Sequence, residues 1–461
     1  MRRLHALFLP AICWITAPLG AQIRLPDYTR DVLPNGAVVY LMAKPGLPLV
    51  NFRILVRGGT ESEPATLAGL SSVTAELLRR GVGQRTADQF SEELDSLGGT
   101  FFAGVSDQST TISAEFLSKD FDQGIGLAAD AILHPQFPAD EVRKALARRA
   151  DGLKSIKDNP GALNSYYRNF FFGSGHPYGR IADEASYDRI RREDIVSYHQ
   201  RLFTGRNLAV IAVGDFDPVK AKARLTSVFG AAPAGAAYAW TADNPPSAAN
   251  RVLLIDKPDA TQTYFIIARP GVRRSTPDRT ALLLVNELFG GRFTSMLNEA
   301  LRINSGLTYG ASSSVQMSRL TGALYISTYT KTESTAKAID MALDILKKLY
   351  DQGLTAAQLA SAKSYVKGNY PPATVQTIDQ LAGALAEIEL FGLDRNEVDQ
   401  FMARVDGVTL EQANDVIHRY FKPEALTFVI LGNAAKIRGE VAKYGPKVEE
   451  RSVTQAGWAG M

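Results

Sequence analysis

Leu208-Ala209-Val210-Ile211-Ala212-Val213-Gly214 returns in the second half of the chain as Leu426-Thr427-Phe428-Val429-Ile430-Leu431-Gly432. Each is a short apolar run rich in β-formers and stopped by glycine, the pattern of a buried strand entering a turn. Upstream of both, Arg201 and Phe203 are answered at the same offset by Arg419 and Phe421. A second set of matches lies near the start of each half. Lys44-Pro45 matches Lys257-Pro258, Phe52 matches Phe265, Ile54 matches Ile267 and Gly58 matches Gly271, again at a single offset. Matched beginnings and matched ends, in the same order, imply one unit written twice.

The rest of the chain divides around that duplication. Residues 1–21 read as a leader, 22–230 as the first half, 231–249 as a connector rich in Ala and Pro, 250–445 as the second half and 446–461 as a tail. Strand and helix patterns are mixed within each half. Phe52, Ile54 and Val56 alternate as in a half-buried strand, as do Ile112, Ala114 and Phe116. Ile339, Ala342, Leu343, Leu346 and Leu349 share one helix face; Gly353 stops that helix, and Thr355 with Gln358 makes a capping box for the next. The expected class is α+β: two homologous halves of antiparallel-rich sheets flanked by helices, together forming a half-clamshell.

Bulk composition narrows the function. The 461 residues are 45% hydrophobic and 21% charged, as in an ordinary globular protein of two to four domains. Of 51 Lys and Arg residues, 49 remain once Arg2 and Arg3 leave with a leader, against 48 Asp and Glu. Near-neutrality gives nucleic acid no electrostatic footing as a partner. Arg2 and Arg3, the apolar run from Ala6 to Ala17 and the exit Pro18-Leu19-Gly20-Ala21 have the parts of an export signal, with cleavage expected near Ala21–Gln22. No membrane insertion is expected once it is removed, because no later run approaches about twenty apolar residues. The single cysteine, Cys13, falls inside the leader, so the mature chain has neither a disulfide nor a cysteine-based metal site. A bacterial periplasm suits such a chain.

Two segments carry chemistry. Gly69-Leu70-Ser71-Ser72-Val73-Thr74-Ala75-Glu76-Leu77-Leu78 resembles the zinc-binding helix of the insulinase/pitrilysin/mitochondrial-processing-peptidase family, an inverted zincin pattern Gly-Leu-Ala-His-x-x-Glu-His-x-Leu. Zincin helices work by spacing: ligands at i and i+4 share a face, and a neighbouring glutamate takes the proton of the bound water. Here Ser72 and Glu76 replace the two histidines and Ala75 the glutamate base. The nearest equivalent of the third ligand is Asp151. Glu76 and Asp151 read as surface charges rather than an oxygen site. No metal is expected in this chain. Five histidines occur, His5, His134, His176, His199 and His418, and none outside the leader has another within five residues. His176-Pro177-Tyr178-Gly179-Arg180 resembles a structural turn of the same family, with His176 read as an ordinary turn or surface residue.

The second segment runs from Gly290-Gly291-Arg292-Phe293-Thr294-Ser295-Met296-Leu297 through Leu301-Arg302 to Gly306-Leu307-Thr308-Tyr309-Gly310. It resembles the family's Gly-Gly-x-Phe-x-Ser-x-Leu…Leu-Arg-x-x-x-Gly-Leu-x-Tyr, with the Arg-to-Tyr spacing kept and Ile303-Asn304 where Glu-Lys is usual. Gly290-Gly291 follow a helical stretch, Ala281–Phe289, and no Gly-Lys-Ser/Thr comes after. They read as a helix stop rather than a phosphate loop, and Gly98-Gly99 is the same feature in the first half. In active relatives the strand after that turn, here Phe101 to Ala103, pairs with the substrate.

The resemblance spans residues 30 to about 440. It implies a zinc-free subunit of a heterodimeric metallopeptidase, whose partner is a homologous subunit carrying the zinc and whose substrates are peptides. Arg302 and Tyr309 would act in trans, holding the substrate backbone and stabilising the transition state at the partner's zinc. A guanidinium offers a permanently charged fork to carbonyl oxygens, and a neutral phenol can donate to a developing oxyanion. The rival implication is a scaffold or binding pseudo-peptidase without a role in proteolysis. A lone peptidase using Glu76 and Asp151 with a hard cation ranks below both.

Overall fold

A computed structural model describes residues 23–240 and 245–458; the leader lies outside them. Among the described residues, twelve strands form two six-stranded sheets. The first is built from β1 (Thr29–Val32), β2 (Val38–Ala43), β3 (Leu49–Arg57), β4 (Thr100–Val105), β5 (Ser109–Leu117) and β6 (Leu208–Gly214), in the spatial order β1-β2-β6-β3-β5-β4. The second is built from β7 (Arg251–Asp256), β8 (Gln262–Pro270), β9 (Ala311–Met317), β10 (Gly322–Lys331), β11 (Thr427–Gly432) and β12 (Val448–Ser452), in the order β12-β7-β11-β8-β10-β9. The two orders correspond over five strands; at the outer edge β1 lies antiparallel to β2, whereas β12, from the end of the second half, lies parallel to β7. All pairings in the first sheet are antiparallel except β2–β6; in the second, β7 runs parallel to both β11 and β12.

The duplication holds down to register. Phe52 sits opposite Ala212, and its counterpart Phe265 sits opposite Ile430; Ile54 faces Val210, and Ile267 faces Phe428. Each pair differs by the sequence offsets of the matched ends, so the strands carry the same faces in both halves. Gly214 closes β6 at φ +149°, where a Cβ would come 2.2 Å from the Leu49 carbonyl oxygen, which explains the glycine at that end.

One expectation needs correction. Phe52, Ile54 and Val56 alternate as a half-buried strand would, yet β3 is covered on both faces. Its first face packs under helices of its own half, against Leu70, Val73, Phe90, Ile125 and Ile132. The opposite face, Leu55 with Tyr40, Met42, Ala209, Ile211 and Val213, is covered by Leu381, Leu385 and Ile388 of the helix Ile378–Phe391. That helix belongs to the second half. The loan is reciprocal: helix Ala162–Phe172 of the first half lays Leu163, Tyr166, Tyr167 and Phe170 on the far face of the second sheet, against Leu253, Ile266, Ala268, Val429 and Leu431. Each half therefore completes the other's core. Glu389, near the end of the lent helix, accepts hydrogen bonds from Arg30 at 3.0 Å, from the Tyr40 hydroxyl at 2.7 Å and from Arg57, fastening the crossover.

Residues 446–458 are structured. Val448–Ser452 adds β12 beside β7, and Trp458 is buried with its indole Nε1 donating to the Ala182 carbonyl at 2.8 Å. In the connector, Asn207 binds the backbone of Ala236 and Tyr238. Helices Thr335–Gln352 and Ala356–Thr374 occupy the expected places, bounded by Gly353 at φ +62° and the Thr355–Gln358 capping box, and helix Ala87–Ser96 precedes Gly98-Gly99. Among the described residues no helix is long and apolar enough to cross a membrane.

Candidate functional site

The helix Leu70–Leu77 presents its polar positions to a cleft and its apolar stripe to the core. Leu70, Val73 and Leu77 are buried, while Ser72, Ala75 and Glu76 line the cleft. Its start is fixed by two devices. Gly69 has φ +94°, and a Cβ there would come 2.8 Å from the Tyr187 ring. The buried Glu63 carboxylate accepts from the backbone N–H of Gly69 at 3.0 Å, from that of Ser71 at 2.8 Å and from the Ser71 hydroxyl. A carboxylate here satisfies donors the helix start leaves open. Burial pushes the Glu63 carboxyl up to about 7, although the Ser71 and Gly69 hydrogen bonds and nearby Arg180 pull against it.

The opposite wall of the cleft is β4, from Phe101 to Val105, and the cavity volume is about 400 Å³. β4 ends its sheet, and Phe102 is 70% exposed on that edge. The remaining wall is arginine. Arg148 and Arg149, on helix Ala139–Asp158, hold the two oxygens of Glu76 at 2.7 and 2.8 Å, and Arg149 Nη2 also donates to the Ser72 carbonyl at 3.2 Å. Burial raises the Glu76 carboxyl, but the hydrogen bonds and charges of Arg148 and Arg149 outweigh it and hold it below the usual carboxylate range. Arg79 and Arg80 also line the cleft. Asp151 lies on the same helix as Arg149 but is exposed and is not part of the lining.

A zinc ion does not fit this set of groups. Serine and alanine supply no imidazole or base, and the one carboxylate present is already claimed by two guanidiniums. Among the described residues no group of three or more His, Cys, Asp or Glu is placed to hold a metal ion. The arginines escaped the sequence reading, although the dipeptides Arg79-Arg80 and Arg148-Arg149 are visible there. The first pair follows Glu76 closely on the chain; the second meets it only through the fold. His176 is a buried turn residue rather than a surface one: its Nδ1 accepts from the Tyr178 N–H at 3.0 Å, and its ring stacks on Phe172.

The Arg302 and Tyr309 segment is built differently. Helix Arg279–Asn286 runs into a wider π-helical turn, Glu287–Gly291, and a second π-helical turn, Glu299–Asn304, carries Arg302. The helical reading of Ala281–Phe289 therefore changes winding before the glycines. Gly290 is a close-approach residue: a Cβ would come 2.4 Å from the Ser313 backbone nitrogen. Asn298 ties the segment together, donating to the Phe293 carbonyl at 2.9 Å and accepting from the Ala311 N–H at 3.1 Å. Leu301 is fully buried below Arg302, and Thr308 is held by Gly310 and Thr328.

This frame carries the two polar groups. Arg302 lies over the exposed Phe293 ring at 4.7 Å and makes no ion pair among the described residues. Tyr309 is 78% exposed, and its hydroxyl has no hydrogen-bond partner among the described residues. Tyrosine and arginine so presented are available to a ligand or partner.

Comparison with known proteins places these features in a family. A family model described as insulinase, peptidase family M16, matches residues 38–165, and one described as the peptidase M16 inactive domain matches residues 189–366. An uncharacterized zinc protease of Mycobacterium leprae is 25% identical over 399 residues, covering 85% of this chain and 88% of that protein. A Helicobacter pylori protein described as a non-peptidase homolog is 22% identical over 395 residues, covering 85% of this chain and 90% of that protein. A solved peptidase M16 inactive domain from Pseudomonas fluorescens superposes with a TM-score of 0.80 at 24% identity, covering 88% of this chain and 98% of that one; at this identity the match speaks for the fold. With both halves matched in order, the chain belongs to the insulinase family, peptidase M16.

Proposed function

We propose that this chain is the zinc-free subunit of a periplasmic heterodimeric metallopeptidase, supplying Arg302 and Tyr309 to the active site of a homologous zinc-bearing subunit that cuts peptides. The matches to an inactive peptidase domain and to a non-peptidase homolog fit a pseudo-peptidase, inactive alone. The observation that carries the reading is the contrast between the two sites. On the altered helix the ligand positions are Ser72 and an arginine-clamped Glu76 and the base position is Ala75, whereas Arg302, stacked on Phe293, makes no ion pair among the described residues and Tyr309 is exposed. An exposed phenol beside a half-buried guanidinium serves a substrate backbone only if a second surface closes over them. On this reading the partner contributes the zinc, and the two chains enclose the substrate.

The scaffold reading shares the non-peptidase resemblance but gives Arg302 and Tyr309 no work. Purification of the native assembly separates them: a complex with a zinc-bearing homologue whose turnover depends on both residues supports the catalytic reading, and a zinc-free assembly supports the scaffold.

A further inference from the structure

The cleft beside the altered helix holds more positive charge than its own groups neutralise. Glu76 is the one acid in its lining, against the guanidiniums of Arg79, Arg80 and Arg149, which leaves a net charge of +2. Both oxygens of Glu76 are taken, one by Arg148 at 2.7 Å and the other by Arg149 at 2.8 Å. Arg79 and Arg80 follow the end of helix Leu70–Leu77 and make no ion pair among the described residues. Arg79 is exposed; Arg80 is half-buried, and its Nε is enclosed without a hydrogen-bond acceptor. Guanidiniums that share a cavity of about 400 Å³ repel one another, and an anion taken up there removes that cost. The oxygen count selects the anion. A carboxylate has two oxygens in one plane, and Glu76 shows how few arginines that satisfies. A tetrahedral phosphate points its oxygens apart and can accept from donors on different elements, here the end of helix Leu70–Leu77 and helix Ala139–Asp158. At neutral pH a phosphomonoester carries about −1.5 to −2 charge, which matches the lining.

We propose that this cleft binds a phosphate group, free or carried on a small molecule, with Arg79 and Arg80 as the principal donors and Arg149 completing the cradle from helix Ala139–Asp158 while it keeps Glu76. The cavity volume lies in the range of small-molecule sites, so there is room beyond the phosphate for the molecule that carries it. Binding makes and breaks no bond. Arg302 and Tyr309 belong to the other half of the chain, and the site does not depend on their role.

The experiment uses the full chain alone, in buffer free of phosphate and sulfate, and titrates it by calorimetry at constant ionic strength with inorganic phosphate, glycerol phosphate and succinate. Succinate carries a similar charge on planar carboxylates. Inorganic phosphate or glycerol phosphate is expected to bind about tenfold more tightly than succinate, the difference of one charge-assisted contact. Tighter binding of glycerol phosphate assigns a carried phosphate; equal or weaker binding assigns the free ion. Arg79→Ala and Arg80→Ala are each expected to weaken the favoured probe about tenfold. Where an Ala variant does not fold, the Lys variant at that position keeps the charge, loses the planar fork and serves the same test. Arg143→Ala removes an exposed arginine of helix Ala139–Asp158 outside the lining, and is expected to leave binding unchanged. No saturable binding of either phosphate, succinate binding as tightly as both, an equal loss in Arg143→Ala, or full affinity in a natively folded Arg79 or Arg80 variant overturns the proposal. Because no partner subunit is present, this result stands or falls apart from the role of Arg302 and Tyr309.

Discussion

Arg149 Nε donates to Glu76 at 2.8 Å across two helices, so the one carboxylate of the altered helix is held by a guanidinium. Glu76 is thereby a structural anion rather than a vestigial ligand. The pair is partly exposed, and its worth is correspondingly small, about 0.5–1 kcal/mol after solvent screening. A double-mutant cycle of Glu76→Gln and Arg149→Met, followed by urea denaturation, should return a coupling of that size. Because the Glu76 carboxyl is held below its ordinary value, the coupling is present at neutral pH and is lost as pH falls through the folded-state value. Coupling that is unchanged in strong acid contradicts the pairing.

Restoring imidazoles alone should not restore a metal centre. Ser72→His with Glu76→His leaves Ala75 without a base and leaves Arg148 and Arg149 facing the new site. Two cations beside a third disfavour binding. Metal analysis after dialysis should find well under one zinc per chain, and stoichiometric zinc sinks this view of the cleft.

Glu63 should make the helix start sensitive to pH. Its folded-state carboxyl is raised from the ordinary value of 4.5 to about 7 by burial, so its contribution to stability is fully present only below about pH 4.5 and is lost progressively as pH rises from there through about 7. Thermal melting of the parent chain should fall over that window, and Glu63→Gln should flatten the part of the slope that Glu63 causes. Identical slopes in the two proteins would show that Glu63 does not titrate there.

The exchanged helices couple the halves. Leu385 is fully buried against the first sheet although it belongs to the second half. Leu385→Ala should cost about 2–5 kcal/mol and should lower the stability of both halves together. Chemical denaturation followed by probes in each half should keep one shared transition; separate midpoints, with the first half unmoved, contradict the interlock.

That coupling marks where the sequence stopped being legible. The duplication could be read residue by residue, because Phe52 and Phe265 or Gly214 and Gly432 record strand faces and strand ends, which are local facts. The Arg302–Tyr309 segment was legible for the same reason: its spacing lies within one short stretch. The helix Ile378–Phe391 shows apolar residues on a broad surface, but nothing local says that Leu381 and Leu385 belong to the other half's sheet. Arg148 and Arg149 were hidden in the same way, since their meeting with Glu76 is made by tertiary packing. The periodicity of β3 pointed to one buried face because the second carries Asn51, Arg53 and Arg57 alongside Leu49 and Leu55, and its cover comes from far along the chain.

The account turns on Arg302 and Tyr309. The most direct measurement is turnover of a quenched peptide by this chain reconstituted with a zinc-bearing homologous subunit, with assembly checked by gel filtration. Arg302→Ala and Tyr309→Phe should leave the complex intact and lower turnover, by about a hundred- to a thousandfold for loss of an oxyanion donor. Full turnover by both variants in an intact complex would contradict it.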